Sequence, residues 1–502
     1  MTEIATRAYL ELEGRFARRS AILDAASMLE WDFSAMMPDG GAEARSGQLV
    51  ALQRVAHDML TDPELAELLE AADGERGRLD DWQAANLARM RRIHARETAA
   101  PAELVEAFTR ASKACEMVWR KARPASDFAS LLPSLQRVLD LCREIATARA
   151  ERLGSPLYDA LLDEFDPGAT TQRIDAVFDA YAEALPGLLE EALARQAGRP
   201  APVVPEGPFP IEKQRALGQA LMQAVGFDFE HGRLDVSLHP FCGGVPDDVR
   251  ITTRYDEQDF TTSLMGVLHE TGHAMYERGL PARWRVQPVG RAHSMALHES
   301  QSLLVEMQAC RSPAFLAFAA GRMRDAFGGD GPAWGADNLL AVYTRVKPGY
   351  IRVDADEITY PAHVILRYRL ERALLSGDLP LADLPGAWSE GMRALLGITP
   401  PDDRRGCLQD IHWPIGSFGY FPTYSLGAMA AAQLFDAAVR AEPEIPDAIA
   451  RGDFQPLMGW LATHVHSQGS RYSTDEILTR ATGRPLDPTV FMAHLRRRYV
   501  EA

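Results

Sequence analysis

A chain of 502 residues, 46% hydrophobic and 25% charged, buries a large core and needs no disulfide or structural metal to fold. Its 70 acidic residues against 53 basic ones leave a formal charge of −17, which excludes general nucleic-acid binding and attachment to anionic membranes. The five cysteines (Cys115, Cys142, Cys242, Cys310, Cys407) are odd in number and form no C-x-x-C pair, the usage expected in a reducing cytoplasm. Met1 to Leu12 carries Glu3, Arg7 and Glu11 and no apolar core, so no signal peptide is expected, and no run reaches the ~18 apolar residues of a membrane span.

The first two hundred residues read as helix after helix. Asp62-Pro63-Glu64 is a cap, a first-turn proline and a first-turn acid ahead of Leu65, Leu68 and Leu69. Pro101 before Leu104 and Phe108, and Thr170-Thr171 before Ile174, Val177 and Tyr181, repeat the pattern. Pro200, Pro202, Pro205, Pro208 and Pro210 crowd the stretch 198–210. This connection joins a helical N-terminal half, about 1–197, to a catalytic half, 211–502, within one expected domain of 1–502. Val236 and Leu238, then Val249, Ile251, Thr253 and Tyr255, alternate with polar residues as strands do, and Gly243 to Asp247 supplies a turn between them. After Asp259, a candidate cap, Phe260, Leu264, Val267, Leu268 and Met275 return to helical spacing, and Gly279 is a stop. Another helix is expected from near Ala292 to beyond Met307. The fold class is mainly α, with a small antiparallel hairpin or sheet beside the helix that follows Asp259.

That helix carries His269, Glu270 and His273. Positions i and i+4 project from one face, so the two imidazoles can meet one ion, and Glu270 beside the first is placed to take a proton from a water rather than to bind metal. Chance would give roughly 0.02 such matches in a chain of this composition. A third ligand is needed, and Glu299 on the next predicted helix supplies it after a loop of roughly ten to fifteen residues. His298 and His293 are rival donors. Adjacent helical residues point about 100° apart, so His298 and Glu299 are not expected to bind together.

The chain also resembles the thermostable metallocarboxypeptidases, the carboxypeptidase Taq family, along nearly its whole length. The resemblance rests on Leu29-Glu30-Trp31-Asp32, His239-Pro240-Phe241, Asp248-x-Arg250-x-Thr252, the histidine helix and His298-Glu299-Ser300-Gln301. It continues in Ile351-Arg352-x-x-Ala355-Asp356, Gly406-x-x-Gln409-Asp410-x-His412-Trp413 and Gly419-Tyr420-Phe421-Pro422. It departs from the family pattern at Ala296, Leu303, Val305 and Met307. The resemblance implies a large helical body split by a deep substrate groove, a zinc-type ion (Zn2+, with Co2+ or Mn2+ as alternatives), a homodimer, and removal of single residues from peptides with a free C-terminal carboxylate.

Within that resemblance Arg352 reads as the anchor for the substrate carboxylate, or else as the ion-pair partner of Asp354 or Asp356. His412, Tyr420 and Tyr424 lie in a segment rich in Gly and Pro, where an imidazole or phenol can donate to an oxyanion or hold the substrate terminus; the alternative is a set of buried aromatics. His239 is a substrate-binding candidate or a structural hairpin residue. Asp248 and Arg250 read as a structural pair, His464 and His466 as surface or core histidines, and Arg496-Arg497-Arg498 as a solvated helix face. The rival activities are a zinc oligopeptidase or dipeptidyl carboxypeptidase, and a noncatalytic peptide-binding protein. A missing ligand or a missing Glu270 would mark the last of these, and neither is missing.

Overall fold

The computed structural model describes residues 6–237 and 239–501. Leu238, read above as a strand residue, and the first five positions lie outside the described residues. The described residues sort into two compact units: 6–94 with 201–343 and 430–486, and 95–200 with 344–429 and 487–501.

Helices begin where a side chain satisfies the orphan amides of the first turn. Asp62 accepts from Glu64 N at 3.0 Å ahead of the helix Pro63–Gly74, and Thr170 caps Thr171–Ala197 through Arg173 N. In the first unit Tyr9, Leu12 and Phe16 of the helix Arg7–Ala35 pack with Leu60, Leu65 and Leu69. No helix among the described residues is long and apolar enough to cross a membrane.

The expected sheet is present, also in the first unit. Strands β1 (Gly232–Val236), β2 (Cys242–Val245) and β3 (Asp248–Thr253) lie in the order β1-β3-β2. The two strands read from the sequence, β1 and β3, pair parallel rather than as a hairpin; the antiparallel partner of β3 is β2, which forms within the stretch read as the turn, the tight turn itself falling at Pro246-Asp247. Thr252 ties down the intervening stretch: its Oγ1 accepts from Phe241 N at 3.1 Å, and its own N–H donates to Phe241 O at 3.0 Å. Leu234, Val249 and Ile251 form the inner face of the sheet and pack on Val267 and Ala274 of the histidine helix, with Met222 and Phe227 closing the cluster. Each such aliphatic side chain contributes about 1.5–3 kcal/mol by leaving water.

The histidine helix runs Phe260–Gly279, and Asp259 caps it through Thr261 N at 2.8 Å. Gly279 is its last residue but makes no left-handed turn, the chain leaving the helix extended at Leu280, and the glycine serves a close approach instead. A Cβ at that position would stand 2.6 Å from His466 Nδ1. After the two short turns Ala282–Trp284 and Pro288–Gly290, Ser294 caps the helix Met295–Leu303, which continues as a π-helical segment, Leu304–Ala309. The two helices touch backbone to backbone at Gly272, where a Cβ would stand 2.5 Å from Gln301 O and 2.6 Å from Ser302 Cα.

In the second unit the helix Tyr360–Ser376 is buried along most of its length, and Tyr368 meets Tyr158 and Phe178 edge-on at 5.5 and 5.3 Å. The C-terminal arginines do not all form a solvated face. Arg496 pairs with Glu191 at the surface, but Arg498, His494 and Tyr499 converge on the buried carboxylate of Glu357.

Gly272→Ala tests the backbone contact. Alanine gains about 1 kcal/mol of helix propensity over glycine, but the overpacking it forces against Gln301 and Ser302 costs typically 1–3 kcal/mol. The expected result is a lower melting temperature together with weakened metal retention; an alanine variant as stable as the wild type would contradict the contact.

Candidate functional site

In the first unit the histidine helix presents His269 and His273 one turn apart, and the helix Met295–Leu303 brings Glu299 to them. Glu299 Oε2 lies 3.5 Å from His273 Nε2 and 4.0 Å from His269 Nε2. One ligand atom from each of the three residues falls within 4.8 Å of the others. Donors bound at ~2.0–2.1 Å to one tetrahedral ion stand about 3.3 Å apart, so small side-chain movements close this set around a metal. Charge fits as well. Glu270, Glu299 and Glu306 are three buried carboxyl groups gathered about two imidazoles and the guanidinium of Arg311, a surplus of negative charge that a divalent cation offsets.

The orientation of each imidazole has a cause. His269 Nδ1 bonds Glu306 Oε2 at 2.9 Å, which turns Nε2 toward Glu299, and Arg311 holds the other oxygen of Glu306. Burial works against charge on Glu306, but Arg311 and His269 keep its carboxyl below the ordinary range. Burial, with the nearby His298, pulls His273 down to about 4, so it is neutral, the form that binds metal. Burial pushes the Glu270 carboxyl up to about 7 against the pull of His269.

The rival histidines are occupied elsewhere. His298 Nε2 bonds Glu277 at 2.8 Å while its ring stacks on His273 at 4.5 Å, so it backs a ligand rather than competing with it. His293 is held by Arg89. His466, read as a surface or core residue, is buried and bonds Gln301 Oε1 at 3.0 Å; the His464 ring lies tilted against Trp460 at 4.7 Å. Arg250 forks onto Asp248, as expected of a structural pair, and lies over Trp31 at 4.6 Å. His239 is exposed just after β1, and its carbonyl accepts from Ser237 Oγ at 2.6 Å.

The second unit gathers the other candidates. Arg352 opens a short turn, Arg352–Asp354, and is 6% exposed. Its ion-pair partner is neither Asp354 nor Asp356. Nε and Nη2 donate to Asp410 Oδ1 at 3.2 and 2.9 Å, because Asp356 is taken up by the backbone N–H groups of Lys347, Ile358 and Thr359 and because Asp354 is exposed. Arg367 Nε donates to the second oxygen of Asp410 at 2.7 Å, and the Arg352 guanidinium lies over the Tyr424 ring at 4.7 Å. His412 Nε2 meets Tyr424 Oη at 3.2 Å, and the His412 ring stands 4.4 Å from Phe421 and 5.6 Å from Tyr420. Burial, assisted by Arg352 and Arg367 and opposed by Asp410, holds His412 down to about 4. A neutral imidazole there can offer one N–H.

Over residues 11–499 the sequence matches the family described as carboxypeptidase Taq (M32) metallopeptidase. The chain belongs to that family. It is 40% identical to thermostable carboxypeptidase 1 of Thermus thermophilus over 496 residues, covering 96% of this chain and 97% of that protein. It is similar in structure to metallocarboxypeptidase 1 of Trypanosoma cruzi (TM-score 0.96, 44% identity, 98% of this chain and 99% of that one). The M32 carboxypeptidase of Deinococcus radiodurans is also similar, with a TM-score of 0.92 and 36% identity over 99% of both chains. This M32 chain is therefore a metallocarboxypeptidase, a hydrolase of peptide bonds that works with a divalent metal.

Sequence reasoning about this M32 chain missed Glu306, Glu277, Arg367 and Asp410 as participants. Glu306 was within reach of the method: seven residues past Glu299 returns to the same helix face. Carboxylates that orient a ligating imidazole typically change metal affinity by 10–100-fold when removed. Glu306→Gln should therefore lower metal affinity by about that factor, as read by competition with a chromophoric chelator; unchanged affinity would remove Glu306 from this role.

Proposed function

We propose that the enzyme removes single residues from peptides with a free C-terminal carboxylate, using a divalent ion, zinc first with cobalt or manganese as alternatives, held by His269, His273 and Glu299. The observation that carries this reading is the convergence of those three ligand atoms within 4.8 Å, with Glu270 buried beside them. The ion, when bound, supplies Lewis acidity to the scissile carbonyl and acidifies a water. Glu270 accepts the proton from that water during attack and delivers it to the departing amine.

Arg352 receives the substrate carboxylate. Asp410 occupies its Nε and Nη2, and Nη1 makes no hydrogen bond among the described residues, so the guanidinium is held in place with a donor to spare. His412 and Tyr420 offer donors to the developing oxyanion, while Tyr424 and His239 contact the peptide. We take 1–502 as one catalytic domain, working in the cytoplasm as a homodimer.

Glu270→Gln keeps size and hydrogen-bonding capacity but removes the base. Metal content should stay stoichiometric while turnover falls roughly 10²–10⁴-fold; normal hydrolysis by the metal-loaded variant would eliminate Glu270 as the base. For Arg352, the test compares acid and amide forms of one peptide. Loss of a charge-assisted contact should lower kcat/KM for the acid about 10–150-fold and add little to the already poor turnover of the amide. Equal losses on both forms would exclude the anchor role.

A further inference from the structure

The second unit contains a buried carboxylate, Glu371, that the activity does not use. It lies one helical turn beyond Arg367 on Tyr360–Ser376 and is fully buried. Its Oε1 accepts the indole N–H of Trp413 at 2.7 Å. Its Oε2 accepts the backbone N–H of Gly419 at 3.0 Å and the Tyr158 hydroxyl at 2.5 Å. Positions i and i+4 share a helix face. One face of this helix therefore grips the same segment at three points: Asp410 through Arg367, and Trp413 and Gly419 through Glu371. His412 stands between the first two points, and Tyr420 follows the third.

The segment between these points is a run of turns closed by its own backbone bonds, Ile415 N to Ile411 O and Ser417 N to His412 O among them, and the external bonds fix that run of turns against the helix. Gly419 has φ +90°, and a Cβ there would press on Leu161 at about 3.1 Å, so the chain at this point is already confined on its far side. Tyr420 is then set by Phe165, edge-on at 5.0 Å. Burial pushes the Glu371 carboxyl up to about 7 despite its three donors. A group kept in so unfavourable a place for charge is costly unless all its bonds are made.

We propose that Glu371 is a positioning residue for the reaction: by bonding Trp413 and Gly419 together it fixes where the His412 imidazole and the Tyr420 hydroxyl stand. This rests on the reading that His412 and Tyr420 serve the substrate. Glu371 itself touches no substrate. In a Glu371→Gln variant the amide nitrogen can no longer accept, so one end of the segment loses its partner. Tyr158→Phe removes a donor while leaving both segment bonds in place.

The experiment measures kcat/KM, metal content and melting temperature for Glu371→Gln, Tyr158→Phe and Trp413→Phe in the full-length metal-loaded enzyme. It repeats Glu371→Gln in a background carrying His412→Ala and Tyr420→Phe. Expected are a fall of about 10–100-fold for Glu371→Gln at unchanged metal content, at most about twofold for Tyr158→Phe, and at most about twofold further when Glu371→Gln enters the double background. A fall that is undiminished in that background, or Glu371→Gln activity within twofold of the wild type, would overturn the proposal. If Glu371→Gln does not fold, Trp413→Phe carries the test, since it cuts one of the two bonds and should show the same loss of effect in the double background; full additivity there overturns the proposal. A double background as active as the wild type would instead overturn the reading of His412 and Tyr420 on which the proposal rests.

Discussion

Two helices of the first unit approach until the backbone of one meets the backbone of the other, and the absent side chain of Gly272 is what permits it. The distance between the imidazole pair and Glu299 depends on that approach. With a Cβ at 272 standing 2.5 Å from Gln301 O, the carboxylate helix would be displaced just where it delivers its ligand. The same contact is secured farther along by His466, which presses on Gly279 at the end of one helix and bonds Gln301 on the other. The histidine pair is a property of one helix; the ligand set is a property of a helix–helix contact.

A second constraint recurs in both units. Several imidazoles and guanidiniums about the site have a carboxylate behind them: Glu306 behind His269, Glu277 behind His298, Asp410 behind Arg352. His273 differs, its Nδ1 making no hydrogen bond among the described residues and its ring backed by His298. A buried donor without a partner costs about 1–3 kcal/mol, and more when it is charged. These acids therefore stabilise the folded chain while fixing the direction in which each functional atom points. Arg367 and Glu371 extend the same arrangement along one face of Tyr360–Ser376.

What was legible in the sequence was what acts over one or two helical turns. The caps at Asp62, Thr170 and Asp259, the strand alternation through Val249 and Ile251, and the spacing of His269 and His273 are local patterns, and local physics decides them. The Arg352 partner lies 58 positions away, and its two sequence neighbours looked equally suitable until the backbone amides around Asp356 were seen to occupy that carboxylate. The parallel pairing of β1 escaped notice because period-2 alternation gives a strand its faces but not its direction. Arg498 looked like a surface charge because nothing nearby in sequence reveals the buried Glu357 that receives it.

Each compact unit is assembled from three separated pieces of chain, and this affects how the protein is made. The ligands His269, His273 and Glu299 leave the ribosome close together. His466, which locks the two ligand-bearing helices, follows them by well over a hundred residues. At bacterial or eukaryotic elongation rates of about 5–20 residues per second, that interval lasts on the order of ten seconds or more. Loop closure over such a separation is an entropic cost met only when the late segment arrives. The ligand triad is thus synthesised before its brace, and the consolidation of its unit waits for the segment that carries His466.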